Sequence, residues 1–273
     1  MKKVGLALGG GGAKGLAHIL MLETFDEMGI KPSCIAGTSI GSIMGALYSF
    51  GLSGSEIRGI FDKLIVSKQD SLKSILTKKD VLRWFDFLDV EFRRGGLLRG
   101  DKIIDYLNRY LKTSTFEGLQ IPFKAVATDF WTCEEVVLDS GELLPAIKAS
   151  MGLPGIFTPV STHDRILIDG GGVNPLPHDL IHECEVTVAI DIMGTREEGR
   201  HKVPGVAEAI FATFQIMQNS IIAEKLKQHP PDIYIKPTIS NVEMLEFYKA
   251  DKIYEQAKPA QEQLKKELEK CLS

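Results

Sequence analysis

Two glycine-built turns in the first 41 residues constrain this chain more than any other feature. Val4 to Leu8 is a short apolar run that enters Gly9 to Gly15, written GGGGAKG. Leu16 to Met28 then repeats apolar residues at three- and four-residue spacing, the period of a helix, until Gly29 and Pro32 stop it. Cys34 to Ala36 is apolar again and runs into Gly37-Thr38-Ser39-Ile40-Gly41, followed by a stretch rich in small residues (Ser42, Gly45, Ala46). Strand, helix and strand in such short order favour a parallel βαβ unit with a right-handed crossover, buried on both faces. Further candidate strands, 123–128, 135–138, 165–168, 186–190 and 233–236, alternate with helical patterns at 55–65, 101–111, 143–150, 206–227 and 250–272. The expected fold class is therefore α/β with a mostly parallel central sheet.

The glycine loop admits three chemistries. Gly10-x-Gly12-x-x-Gly15 after a strand has the form of a dinucleotide fingerprint, but that motif needs an acid at the end of the next strand. Cys34, Ile35, Ala36, Gly37 and Thr38 stand there instead. A triphosphate-binding loop ends in Gly-Lys-Ser/Thr, whereas Lys14 lies between Ala13 and Gly15. The third use of the same backbone amides is to hold the oxyanion of a tetrahedral intermediate in acyl transfer. The loop alone does not choose between these and a packing role.

The second turn adds a nucleophile. Gly-x-Ser-x-Gly between a strand and a helix holds a serine hydroxyl exposed at the sheet edge, with glycines where side chains would strike neighbouring backbone. Two successive βα loops of a parallel sheet emerge at the same edge, so Ser39 and the amides near Gly10, Gly11 and Gly12 are expected to face each other. A serine needs a base. The histidines do not follow apolar strands into glycine turns: His18 is inside a helix, His163 is in a polar turn, and His178, His182, His201 and His229 are in Pro-bounded or charged segments. Ile166-Leu167-Ile168 runs straight into Asp169-Gly170-Gly171-Gly172, which puts a carboxylate at a strand end. Asp191 lacks adjacent glycines and Asp129 is followed by Phe130 and Trp131. Asp169 is the expected base, with an Asx-type turn as its bland alternative.

Gly10-Gly11-Gly12-Ala13-Lys14-Gly15, Gly37-Thr38-Ser39-Ile40-Gly41 and Asp169-Gly170-Gly171, in that order, resemble the motifs of the patatin-like phospholipase family. The block Ala146 to Val160 resembles the one that precedes the aspartate motif in bacterial members. The resemblance covers about residues 3–195 and implies a three-layer α/β/α fold with a Ser-Asp dyad. It implies hydrolysis of acyl esters in phospholipids, lysophospholipids or other lipids, without metal or cofactor. Ser39 would then be nucleophile and Asp169 general base, with Gly10, Gly11 and Gly12 as the oxyanion hole and Lys14 and Ile40 at the substrate. Lys14 replaces a frequent arginine, which keeps the cation but weakens bidentate grip. Two rival classes stay open: a Ser-Asp-His triad esterase using His178, His182, His201 or His229, and a non-catalytic module that binds lipid or nucleotide through the glycine loop.

Composition limits the partners. A formal net charge of −4 gives no global attraction to nucleic acid or to an anionic membrane, so membrane contact must be local and transient. The apolar run Val4 to Leu8 is too short for a signal sequence, and Ile40 to Leu52 too short to span a bilayer. Cys34, Cys133, Cys184 and Cys271 are widely separated and show no redox or metal spacing, which suggests reduced thiols. The expected location is the cytoplasm, with peripheral contact at the inner face of the membrane. Residues 66–100 read as an inserted cap. There Trp84, Phe85, Phe87 and Leu88, near Lys78, Lys79 and Arg83, either pack on the core or form an apolar landing surface for aggregated lipid. Residues 196–273 are expected as an extension packed on the same domain.

Overall fold

A computed structural model describes residues 2–66, 90–91, 97–98, 100–162, 164–194 and 203–272, and the side chains of these except at 66, 90–91, 97–98 and 207. The chain begins as the glycine turns require: β1 (Val4–Leu8), α1 (Ala17–Glu27), β2 (Cys34–Thr38) and α2 (Ile40–Phe50). Next come α3 (Gly54–Val66), a short antiparallel pair β3 (Val90–Glu91) and β4 (Leu97–Leu98), and α4 (Asp101–Asn108). The middle holds β5 (Phe123–Asp129), β6 (Glu135–Leu138), α5 (Leu143–Ser150), β7 (Val160–Thr162) and β8 (Arg165–Asp169). The chain closes with β9 (Val186–Ile190), α6 (Val206–Gln228), β10 (Ile233–Ile235) and α7 (Ala250–Leu272). Apart from those two short strands, the expected cap and its aromatic cluster at 84–88 lie outside the described residues.

One eight-stranded sheet carries the fold, in the order β10-β9-β1-β2-β5-β8-β7 with β6 also on β5. Alternation along the strands splits its two faces. Leu6, Leu8, Ile35, Val188 and Ile190 point to one face and meet residues of α1, α2 and α7. Ala7, Ala36 and Ala189 point to the other, where small side chains let Leu176, Ile181 and Ile222 of α6 pack close. Helix, sheet and helix are the three layers that the resemblance implied.

The sheet is mixed. β10, β9, β1, β2 and β5 are parallel; β6 and β8 run antiparallel to β5, and β7 pairs antiparallel with β8. The short strand β7 was not expected from the sequence; it forms a tight hairpin with β8 that turns the chain back. That reversal decides where β8 ends. β6 occupies one side of β5 from Ala125 to Thr128. β2 pairs with Phe123 to Val126 and β8 with Ala127 to Asp129, so both overlap β6 and must lie on the opposite side. Along that side they meet head to head, with Thr38 beside Val126 and Asp169 beside Ala127.

The cysteines are free thiols, as expected, but two of them meet in space. Cys34 Sγ and Cys184 Sγ lie 3.1 Å apart as free thiols, although 150 residues separate them. The cause is topological. Cys34 starts β2 and Cys184 precedes β9, the two strands that flank β1.

Candidate active site

The head-to-head meeting of β2 and β8 is what brings Ser39 to Asp169. Ser39 is the first residue past β2 and sits at φ 55°, ψ −122°. L side chains avoid that conformation, so the elbow must be held by its surroundings. The Ser39 N–H donates to Ser150 Oγ at 3.0 Å, and its carbonyl accepts from Ser42 Oγ at 2.7 Å and from the Ser42 N–H at 2.9 Å. The turn allows no side chain on either flank: a Cβ at Gly41 would lie 2.1 Å from Leu8 O, and one at Gly37 would lie 2.5 Å from Gly41 O.

Asp169 is 3% exposed and held on three sides. Its N–H donates to Gly152 O at 3.0 Å, and its carbonyl accepts from Thr128 Oγ1 at 2.8 Å. Its Oδ1 accepts from the Gly171 N–H at 2.7 Å, and the Ser39 side chain is its neighbour. Burial pushes the carboxyl up to about 6, against the Gly171 N–H and the nearby Ser39 hydroxyl, which pull it down. A base in that range accepts a serine proton more readily than an ordinary aspartate and is still ionised at neutral pH. Gly170 makes this approach possible, since a Cβ there would lie 2.3 Å from Val126 O.

The glycine loop abuts the serine: a Cβ at Gly10 would lie 3.4 Å from Ser39 Cβ. One expected donor is corrected. The Gly10 N–H is committed to Pro175 O at 2.9 Å, and the Gly9 N–H to Ile190 O at 3.0 Å. Among the described residues the amides of Gly11 and Gly12 have no acceptor, because the first N–H groups of the following helical turn (Gly12–Leu16) have no partner within it. Gly12 adopts φ +62°, and Ala13 N–H donates to Met244 O at 2.7 Å, which fixes the loop from the far side of the chain. Ile40 is buried against Gly15, and the Lys14 ammonium lies against Gly194.

The competing acids and bases are occupied elsewhere. Asp191 Oδ2 accepts from Tyr234 OH at 2.6 Å and is paired with Lys236 at 2.7 Å, and Asp129 Oδ1 accepts from the Trp131 N–H at 3.0 Å. His18 Nε2 faces Gly9 O at 2.9 Å beneath the loop, where burial pushes its pKa down to about 4. Nδ1 of His178 meets Leu176 O, and Nδ1 of His182 meets Asp179 O. No described histidine is hydrogen-bonded to Ser39 or Asp169; His163 and His201 lie outside the described residues.

Three contributors were not singled out from the sequence. Ser150 and Gly152 belong to the block Ala146 to Val160, and that block braces both centres, with a hydroxyl for Ser39 and a carbonyl for Asp169. Gln218 of α6 is the third, with its Nε2 against Gly171. No local pattern marks it, because α6 reaches the site from the opposite layer. An apolar cluster of Leu153, Ile156, Phe157, Phe211, Phe214 and Met244 adjoins these residues.

The family profile for patatin-like phospholipase matches residues 6–182. An uncharacterized NTE family protein of Mycobacterium tuberculosis is 33% identical over 195 residues, 71% of this chain and 50% of that protein. Lysophospholipase NTE1 of Kluyveromyces lactis is 26% identical over 277 residues, 92% of this chain and 18% of its own length. This chain thus spans half or less of these curated relatives. Among solved structures, VipD from Legionella pneumophila superimposes with a TM-score of 0.52 at 14% identity, covering 96% of this chain and 67% of that one. That likeness is one of fold.

Proposed function

The chain belongs to the patatin-like phospholipase family, and we propose that it is a serine acyl hydrolase acting on carboxylic esters of phospholipids, lysophospholipids or related lipids. The observation that carries this reading is a half-buried Ser39 on a strained elbow, next to the buried carboxyl of Asp169 and beside two unengaged glycine amides. Asp169 takes the Ser39 proton as Oγ attacks the ester carbonyl, and the amides of Gly11 and Gly12 receive the oxyanion. Collapse returns the proton to the leaving alcohol. Water then repeats the cycle on the acyl-enzyme, with Asp169 again as base.

The lipid class rests on the family, on the similarity to a lysophospholipase of Kluyveromyces lactis and on the apolar cluster beside the dyad, which suits an acyl chain. The outer face of α6 supports transient contact with aggregated substrate: Val206, Ile210 and Met217 are more than half exposed along one stripe, and no described helix is long and apolar enough to cross a membrane.

The test is labelling of the native chain with a fluorophosphonate, located by mass spectrometry, together with hydrolysis of p-nitrophenyl butyrate and of defined lysophospholipids. The expected result is an adduct on Ser39 and loss of both activities in Ser39→Ala and Asp169→Asn. Full activity in either variant would falsify the dyad. Ester hydrolysis with no lipid turnover would reject the substrate class alone.

A further inference from the structure

Gln218 is 5% exposed and lies on the inner face of α6, and none of the hydrogen bonds among the described residues involves its side-chain amide. An amide in so enclosed a place is kept where something satisfies it, and the Gln218 amide is not among the fully buried unpartnered polar atoms, so water reaches it. A Cβ built on Gly171 would lie 2.1 Å from Gln218 Nε2 and 2.8 Å from Asp169 Oδ1, so those two polar atoms are no more than about 5 Å apart. No hydrogen bond joins them among the described residues, and the upper end of that range is a span that one water molecule bridges with two ordinary hydrogen bonds.

We propose that Gln218 is the positioning residue for the water that hydrolyses the acyl-enzyme, holding it between its own amide and Asp169. The inference rests on the serine hydrolase reading given above. A half-turn of the terminal amide puts Oε1 where Nε2 stands. Oε1 then accepts one proton of the water while Asp169 accepts the other, which leaves a lone pair for the acyl carbonyl on Ser39. As the O–C bond forms, the second proton passes to Asp169. When the tetrahedral intermediate collapses, Asp169 returns that proton to Ser39 Oγ as the Oγ–C bond breaks, so carboxylic acid and free serine result with no other reactant. Nothing in this sequence involves Gln218 during acylation, because the leaving alcohol occupies the place of the water.

That asymmetry gives the test. Gln218→Leu keeps a branched side chain of similar bulk in the buried site and removes only the amide. With p-nitrophenyl butyrate in a rapid-mixing experiment, the variant should release one equivalent of p-nitrophenolate per site at the native rate. It should then turn over about 100-fold more slowly, the scale of a lost proton-transfer contact. Quenched samples should show a butyryl group on Ser39, and hydroxylamine, which needs no activation by the amide, should restore turnover. A fluorophosphonate should label Ser39 of the variant at the native rate, which shows that the site is folded. Steady-state turnover within threefold of native would overturn the proposal, as would an equal slowing of the first equivalent and of turnover. Failure of the underlying reading looks different: the native chain would then show no adduct on Ser39.

Discussion

Asp169→Asn separates catalysis from stability at one atom. In the folded chain, burial lifts this carboxyl from its ordinary value of 3.8 to about 6. Its folded form therefore binds the proton more tightly than the unfolded chain does, which is the reverse of a salt-bridged aspartate. Below pH 4 both states carry the proton and the group is neutral to stability. As pH rises from 4 to 6 the unfolded chain ionises first, and stability declines; above about pH 7 the loss is complete. The gap between 3.8 and 6 corresponds to about 3 kcal/mol. Asparagine escapes that loss while its Oδ1 still accepts from the Gly171 N–H and its Nδ2 donates to Ser39 Oγ. The variant should be inactive on p-nitrophenyl butyrate yet more stable than native by up to about 3 kcal/mol at pH 8. That is about 5 °C in Tm at the unfolding entropy usual for this length. The gain should shrink through pH 6 and vanish by pH 4. Denaturant titrations of both proteins at pH 4, 6 and 8 supply the measurement. A variant less stable than native at pH 8, or a gain independent of pH, would refute burial as the force acting on this carboxyl.

Further outcomes follow from the same geometry. With Asp169 as the proposed base, acting as its carboxylate, kcat/KM for a soluble ester should fall tenfold per pH unit below about pH 6, measured between pH 4.5 and 8; a profile flat down to pH 5 contradicts the assignment. Gly41→Ala places a Cβ 2.1 Å from Leu8 O and should cost about 3 kcal/mol or more, whereas Gly141→Ala, where no atom lies within 4 Å and only φ +75° opposes it, should cost about 1 kcal/mol by denaturant unfolding. Ser150→Ala removes the acceptor of the Ser39 N–H and should cost about 1 to 3 kcal/mol, with a drop in kcat as the elbow relaxes toward ordinary φ and ψ; unchanged kcat and stability would show that the elbow holds itself.

Most of the elements, and the two turns that the proposed dyad occupies, were legible in the sequence for local reasons. Glycines on either side of Ser39 and after Asp169 mark places where backbone meets backbone, and such contacts leave a trace at the residue itself. The oxyanion loop was readable only in part. Composition identifies amides that are free to approach a ligand, but Gly10 loses its N–H to Pro175, a partner 165 positions away that no local pattern names. The same limit hid the pairing of Cys34 with Cys184 and the arrival of Gln218 from the far layer. Strand direction was the largest gap. Apolar runs such as Arg165 to Asp169 carry no arrow, and a βαβ start favours continuing the sheet in parallel.

Yet the reversal of β8 is what makes the site. A parallel β8 on that side of β5 would compete with β2 for the same residues and carry Asp169 away from Ser39. Running antiparallel, it takes only Ala127 to Asp129 and leaves Phe123 to Val126 to β2. The two strand ends then meet on neighbouring residues of β5, and the dyad needs no long side chain to close. A serine and an aspartate, two of the shortest polar side chains, suffice because the backbone has already brought them together. The same crowding buries the carboxyl, which raises its pKa toward neutrality. Register, proximity and basicity thus have one cause, the shared edge of β5.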